Sequence, residues 1–468
     1  MVTVQDTELK KGIEQAIAKA RKSSMPILVS EVQKVDHIEP LSFFSAGQKK
    51  YLGERFYWKD PSDQIFMSGL GICQHIHDNQ NSDRFFHVEK MWKRIIENGI
   101  IFNAFQEAGT GPLMFGGFSF DPEKKKTPLW SKFSDAIFHI PKFLLSKVNN
   151  QHYLTTNVLC TENDDFSLAE KVFLERQQIL SLVSQQMGIQ EAAIIKKEEV
   201  NPEKWKETVK ELVSHLKNGE LKKAVLAREL RLYFNDDVSV EGVLKRLLTE
   251  QRESYTFAFE SNGDCFLGAS PERLVKKEGK NLYSTCLAGS IARGKTEEED
   301  ERLGQALLGD DKNLTEHRFV VEMIKEAMEQ VCEKVQLPDH PVLLKMRDIQ
   351  HLYTPVVGVS KNQSSLFQLV DLLHPTPALG GFPKQDAVKM IREIEELDRG
   401  LYGAPVGWID HNGNGEFAVA IRSALIQGNE ASLFAGCGII SDSDADSEYN
   451  ETKVKFKPML SALGGMEK

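Results

Sequence analysis

Apolar positions along this chain switch between two periods, and the order of the switches sketches the fold. From Trp205 the spacing is helical: Trp205, Val209, Leu212, Val213 and Leu216 fall on one face. Asn201 is placed to cap that helix, Pro202 suits its first position, and Gly219 ends it. Residues 221–234 then alternate as a strand. Lys223, Val225, Ala227 and Glu229 lie on one side; Ala224, Leu226, Arg228, Leu230 and Leu232 lie on the other, which is the predicted core face. Runs at 255–260 and 264–269 flank Ser261-Asn262-Gly263, a hairpin-turn sequence. The helical period returns from about Leu314 to Val335, with Val320, Ile324, Ala327, Val331 and Val335 on one side. The end of the chain is rich in strands, at 403–410, 416–427 and 432–440, joined by HNGNG and QGNE turns.

The N-terminus, MVTVQDTELKKGIEQAIAKARKSS, predicts an amphipathic charged helix, without the apolar core of a signal peptide. Stretches such as MFGGFSFDP and AIFHIPKFLL give residues before 200 a mixed strand character with no chemical constellation. A seam falls at 190–203, where AAIIKKEEVNPEKW passes from an apolar run through charge into a new helix. This divides the chain into a segment 1–200, expected to complete the fold, and a chemically loaded region 201–462, both within one compact domain.

Composition narrows the field. The 468 residues carry 58 Lys+Arg against 68 Asp+Glu, a net charge of −10, with 41% hydrophobic residues. A core of good size is affordable, and a negative field argues against nucleic acid or an anionic membrane as partner. An anionic substrate would be repelled as well, so local Arg, Lys or metal must receive it. No stretch has the apolar length of a membrane span, and six cysteines without CxxC pairing read as buried thiols of a reducing cytoplasm.

Several residues carry chemistry. Lys223 shares its strand face with small apolar neighbours, where a lysine can serve as a base; a solvated strand lysine is the plainer reading. Glu272, after Ser270-Pro271, stands where a carboxyl can be kept protonated as an acid, or can simply be a surface turn residue. Glu316 and Glu451 together suit Mg²⁺, which takes one or two carboxylates and lets substrate oxygens complete its shell. Singly, each reads as an exposed glutamate. Arg422 shares a strand face with Ala418, Ala420 and Ala424, leaving room above it for a carboxylate; pairing to a structural acid is the alternative. The glycine-rich AGCGII (Gly436, Gly438) and LAGS offer backbone amides without the spacing of a phosphate loop. His351 and His374 can each bond a hydroxyl or sit satisfied in the core.

Taken in order, KKAVLAR, FLGASPERL, LAGS, KNLTEH, HPTPALGGFPK, LYGAPVGW, AIRSAL, AGCGII and ETKVK resemble the chorismate-utilising enzymes over about 204–460. The resemblance implies an α+β fold of large antiparallel sheets packed face to face, with helices outside and Mg²⁺ in the cleft. It assigns the base to Lys223, the acid to Glu272, and the metal to Glu316 and Glu451 with Glu448 behind them. Arg422, Lys455 and the amides at Gly436 and Gly438 would meet substrate carboxylates. Ala378 and Leu379 would line the ring pocket, Gly289 and Ser290 would face them, and His351 would stand near the departing hydroxyl.

Residue differences select the branch that the resemblance implies. Anthranilate synthases carry glutamine where Lys223 stands, and aminodeoxychorismate synthases carry lysine where this chain has Ala288. Asn313 replaces an acid frequent in aminating relatives. The form HPTPALGG and the long segment before residue 200 are most similar to isochorismate synthases of the menaquinone pathway. Salicylate synthases and siderophore-pathway isochorismate synthases are the neighbouring alternatives, with an aminating synthase or a non-catalytic binding protein of the same fold further off. The expectation is a cytoplasmic Mg²⁺-dependent isomerase acting on chorismate, monomeric or weakly dimeric, with no glutaminase subunit.

Overall fold

The computed structural model describes residues 8–79, 83–185, 191–219, 221–347, 349–361 and 364–465. The first seven residues of the predicted N-terminal helix, and Gln190 of the seam, lie outside them; the helix itself runs Glu8–Ser23.

Two large sheets carry the chain. One runs from Ile27–Val35 through Gln151–Cys160, Ala136–Val148, Ile65–Asp78, Arg55–Lys59, Tyr255–Ser261, Asp264–Ser270, Ser423–Gln427 and Glu430–Ile439 to Lys223–Phe234. The other leaves Ala136–Val148 through Leu113–Phe118, Pro405–Asp410, Gly415–Val419, Arg273–Glu278 and Asn281–Ala292 to Ile349–Ser360. These neighbours are all antiparallel; a short parallel pairing of Ile27–Val35 with Ile100–Phe102 is the exception. Aromatic side chains fill the space between the sheets, as where Phe56 of one stacks on Phe115 of the other at 4.4 Å. Helices cover the outer faces.

Residues before 200 are woven into both sheets. Arg55–Lys59 pairs with Tyr255–Ser261, Leu113–Phe118 with Pro405–Asp410, and Ile194–Glu199 with Lys223–Phe234 across the seam itself.

Local chemistry explains most elements. The Ser261–Asp264 hairpin turns through Asn262 and Gly263, both at positive φ, as a two-residue turn matched to strand twist requires. Trp205, Val209, Leu212 and Leu216 are buried on the helix Pro202–Asn218, as their spacing predicts. Its start differs from expectation: Asn201 adopts a left-handed conformation and makes no side-chain cap, its amide reaching Glu396 at 3.1 Å instead.

Three expectations are corrected. The long helix runs Asp311–Val331, capped by Asp310, and Val335 belongs to a strand, Cys332–Gln336, that pairs with Ile349–Ser360. Pairing with the edge of Ile349–Ser360 replaces the helical hydrogen bonds there. The strand from Lys223 is buried on both sides at its start, because sheet neighbours and the 376–382 loop enclose it. Residues 416–427 are not one strand: pairing stops at Val419 and resumes at Ser423, with Arg422 at φ +51° between.

That break has an architectural cause. Gly415–Val419 belongs to one sheet and Ser423–Gln427 to the other, so Ala420–Arg422 is a step between sheets. Ser270-Pro271-Glu272 makes the same step in the opposite direction, from Asp264–Ser270 to Arg273–Glu278. The two crossings are laced together by Val419 N–H donating to the Glu272 carbonyl at 3.0 Å and Ser270 Oγ–H donating to the Val419 carbonyl at 2.6 Å.

Candidate active site

The corner where the chain changes sheets gathers most of the loaded side chains. Lys223 opens its strand with Phe382 opposite on one side, while Val225, two residues on, faces Gly438 on the other. The lysine stem lies over Gly438 so closely that a Cβ there would be 2.5 Å from Lys223 Cε. Its Nζ pairs with Glu316, in the second turn of the long helix. Lys223 itself is only 9% exposed.

Glu272, held by the crossing just described, is buried. Loss of water pushes its carboxyl up to about 7, against the opposing pull of Arg422, Lys223 and Lys455. Arg422 occupies its left-handed bend because its carbonyl must accept from Ala269 N–H at 3.0 Å while Ala420 is tied to Gly403 and Ala404. A non-glycine residue in that region stores strain, and such strain persists where the surroundings over-determine it. Burial lowers the Arg422 pKa, opposed by Tyr402, Glu272 and Glu451.

The last helix, Ala445–Ala462, supplies three more charges. Lys455 Nζ donates to Glu451 at 2.7 Å and to the Gly436 carbonyl at 2.8 Å. Burial would raise Glu451, but Lys455 and then Arg422 and Lys223 outweigh it, and its net direction is down. Glu448, one turn earlier, accepts from Ser443 Oγ–H at 2.7 Å and is raised by burial, with the Glu451 charge adding to the effect.

Gly436 and Gly438 turn their backbone toward this cluster. Their partners Ala227 and Val225 send their N–H groups the other way, to Glu395 at 2.7 Å and to the Gly380 carbonyl at 2.8 Å. In an antiparallel ladder that makes both glycines members of non-hydrogen-bonded pairs, with amides directed out of the ladder. Gly289, at φ +80°, forms the bulge that sets Ser290 opposite His351, and a Cβ on it would press on Asn313 at 3.2 Å. His351 is buried and its Nε2 has no hydrogen-bond partner among the described residues. Burial, then Arg422 and Lys455, lower its pKa to about 3, so the ring is neutral at physiological pH. Ala378 and Leu379 lie in the loop beside the start of the Lys223 strand.

Other residues of the set are structural. His374 is buried with Nε2 3.0 Å from the Phe120 carbonyl, and His317 spans the Ala288 carbonyl at 2.9 Å and Thr354 Oγ1 at 2.8 Å. Sequence reasoning missed the buried pair Glu395–Arg399. Arg399 donates to Glu395 at 2.7 Å, the Leu379 carbonyl at 3.0 Å and the Val225 carbonyl at 2.6 Å, tying the ring-pocket loop to the Lys223 strand. Its signal was an i,i+4 Glu–Arg spacing, which usually marks an exposed helix face. Tyr402, close to Gly436, also escaped notice.

Among the described residues no three His, Cys, Asp or Glu side chains gather as a metal cluster. Two carboxylates suffice for Mg²⁺ when substrate oxygens and waters supply the rest, and Glu316 and Glu451 are hard oxygen donors each held by a lysine. The donor set fits such an ion.

Residues 15–464 match the family model described as chorismate binding enzyme. The chain belongs to this family. Among chorismate-binding relatives, it is 44% identical to the isochorismate synthase MenF of Bacillus subtilis, over 99% of both chains. It is 33% identical to the salicylate biosynthesis isochorismate synthase of Pseudomonas aeruginosa, over 98% of this chain and 95% of that one. The solved structure of the menaquinone-specific isochorismate synthase MenF of Escherichia coli superposes with a TM-score of 0.78 at 24% identity, covering 98% of this chain and all of the other, a shared fold. No helix among the described residues is long and apolar enough to cross a membrane.

Proposed function

We propose that this protein is an isochorismate synthase, an isomerase that converts chorismate to isochorismate by adding water at C2 and losing the hydroxyl at C4. One observation carries the reading: a buried carboxyl that titrates near neutrality, Glu272, faces the same charged cleft as a buried lysine, Lys223. An exchange of hydroxyls needs such a pair, one group taking a proton as the other gives one. Likeness over nearly the full length to an isochorismate synthase supports it.

In this mechanism Lys223 removes a proton from the water that attacks C2. The ring double bonds shift, and Glu272 delivers its proton to the C4 hydroxyl as it leaves. The two groups exchange protons with solvent to reset. Arg422, Lys455 and the outward amides of Gly436 and Gly438 receive the substrate carboxylates, while Ala378 and Leu379 bound the ring and Gly289, Ser290 and His351 close the opposite side. Glu316 and Glu451 would hold Mg²⁺, with Glu448 behind them, and the bound ion would supply positive charge for a substrate carboxylate within an acidic protein. Bonds of similar type are made and broken, so the reaction is reversible. The product would feed menaquinone synthesis, in keeping with the long N-terminal segment.

Chromatography of products after incubation with chorismate and Mg²⁺, without ammonium, tests the assignment. Isochorismate as the product is expected. Release of pyruvate would make the chain a salicylate synthase, and a strict need for ammonium would make it an aminating one.

A further inference from the structure

His351, Arg422 and Lys455, all members of the charged cluster, also line a small recess. Its polar walls include Gln251, His351, Arg422 and Lys455, with Ala269 and Val454 supplying apolar ones. Gln251 stands at the end of the helix Val240–Glu250, where its backbone is fully used: N–H to the Leu247 carbonyl at 2.8 Å, carbonyl to Ser254 N–H at 3.1 Å. The side chain turns inward, and Gln251 is only 8% exposed. Its amide nitrogen has no hydrogen-bond partner among the described residues. The recess therefore holds two buried nitrogens without partners among the described residues, Gln251 Nε2 and His351 Nε2, on the same walls as three cationic side chains, Arg347, Arg422 and Lys455.

Buried amide N–H groups are satisfied in folded proteins, and an orphan is met by a bound water or a ligand. The missing partner must be an acceptor, because the glutamine amide nitrogen only donates. Arg422 and Lys455 give the recess a positive field, so the fitting acceptor is anionic. A carboxylate offers two oxygens with several lone pairs, enough to meet Gln251 and Arg422 together.

We infer that Gln251 is a substrate-binding residue, its side-chain N–H donating to the substrate carboxylate that does not face Glu316 and Glu451. This rests on the reading of the chain as an enzyme acting on a dicarboxylate.

Steady-state kinetics of isochorismate formation by wild type, Q251L and Q251E test it. In Q251L the KM for chorismate should rise at least about tenfold, the loss of one hydrogen bond to a charged group, with kcat nearly unchanged. Q251E keeps size and shape, so it tests the site even if Q251L folds poorly. Its negative charge should raise KM further than Q251L does and make KM fall again as pH is lowered toward 5. A KM within twofold of wild type in Q251L, or Q251E behaving like wild type, overturns the assignment while leaving the activity standing. A wild type that makes no isochorismate overturns both.

Discussion

Gly438 offers the sharpest test of how the site is built. Replacing it by alanine adds one methyl group to a strand residue whose backbone any amino acid can adopt. That methyl carbon would lie 2.5 Å from Lys223 Cε and 3.0 Å from Nζ. Carbon atoms rest at about 3.5 Å or more, so the lysine tip must retreat by about 1 Å. The tip is flexible and the retreat costs little stability; exchange of glycine for alanine in the unfolded chain contributes about 0.4–1 kcal/mol in favour of folding. Catalysis has no such tolerance. A 1 Å error in placing a reacting group costs about 100-fold in rate, close to 2.7 kcal/mol of barrier. G438A should therefore melt at or slightly above the wild-type temperature by circular dichroism, while kcat for isochorismate formation falls about 100-fold. An alanine variant that keeps more than half of wild-type kcat would show that the Lys223 amine need not lie where this strand puts it. A variant that loses activity only by unfolding would refute the argument equally.

Glu272 should govern the alkaline limb of the pH profile. Acting as an acid it must be protonated, so kcat should fall as pH rises through about 7, and E272Q should lose both activity and that limb. Its folded pKa is raised, so its contribution to stability is full below 4.5 and lost as pH climbs through 7. A rise from 4.5 to about 7 amounts to about 3 kcal/mol, and E272Q should be more stable than wild type at pH 8 by up to that much, with no gain at pH 4. Glu316→Ala should raise the Mg²⁺ concentration for half-maximal activity at least about tenfold; indifference to EDTA in wild type and variant alike would defeat the metal assignment. Arg399→Ala leaves Glu395 buried without its partner and should cost about 3–5 kcal/mol in urea unfolding. It should also lower kcat, since the Leu379 and Val225 carbonyls lose their shared donor; an unchanged midpoint would show that the pair is not a tie.

Much of this molecule was legible in the order of its residues. One-sided burial wrote the helix from Pro202 into its spacing, and the Asn262-Gly263 turn signal marked the hairpin, while the strand from Lys223 was legible from alternation and short length although both its faces are buried at its start. Family motifs mark Lys223, Glu272, Arg422 and Lys455, which the fold brings to one corner. Misreadings came where distant chain overrode local preference. Val335 left the helix because Ile349–Ser360 offered it a sheet edge, and Arg422 left its strand because the chain there had to step from one sheet to the other.

The sequence by itself determined the kinds of element, their approximate limits and the chemical inventory of the cleft, since these depend on neighbours a few residues apart. Tertiary structure alone decided which lysine lies against which glutamate, why Gly438 must lack a side chain, and that Glu395 and Arg399 tie the site from behind. It also decided how strongly Glu272 holds its proton, because that depends on how much water is excluded and which cations converge from three separate stretches of chain. Such quantities are set by distances in space, and spacing along the chain does not encode them.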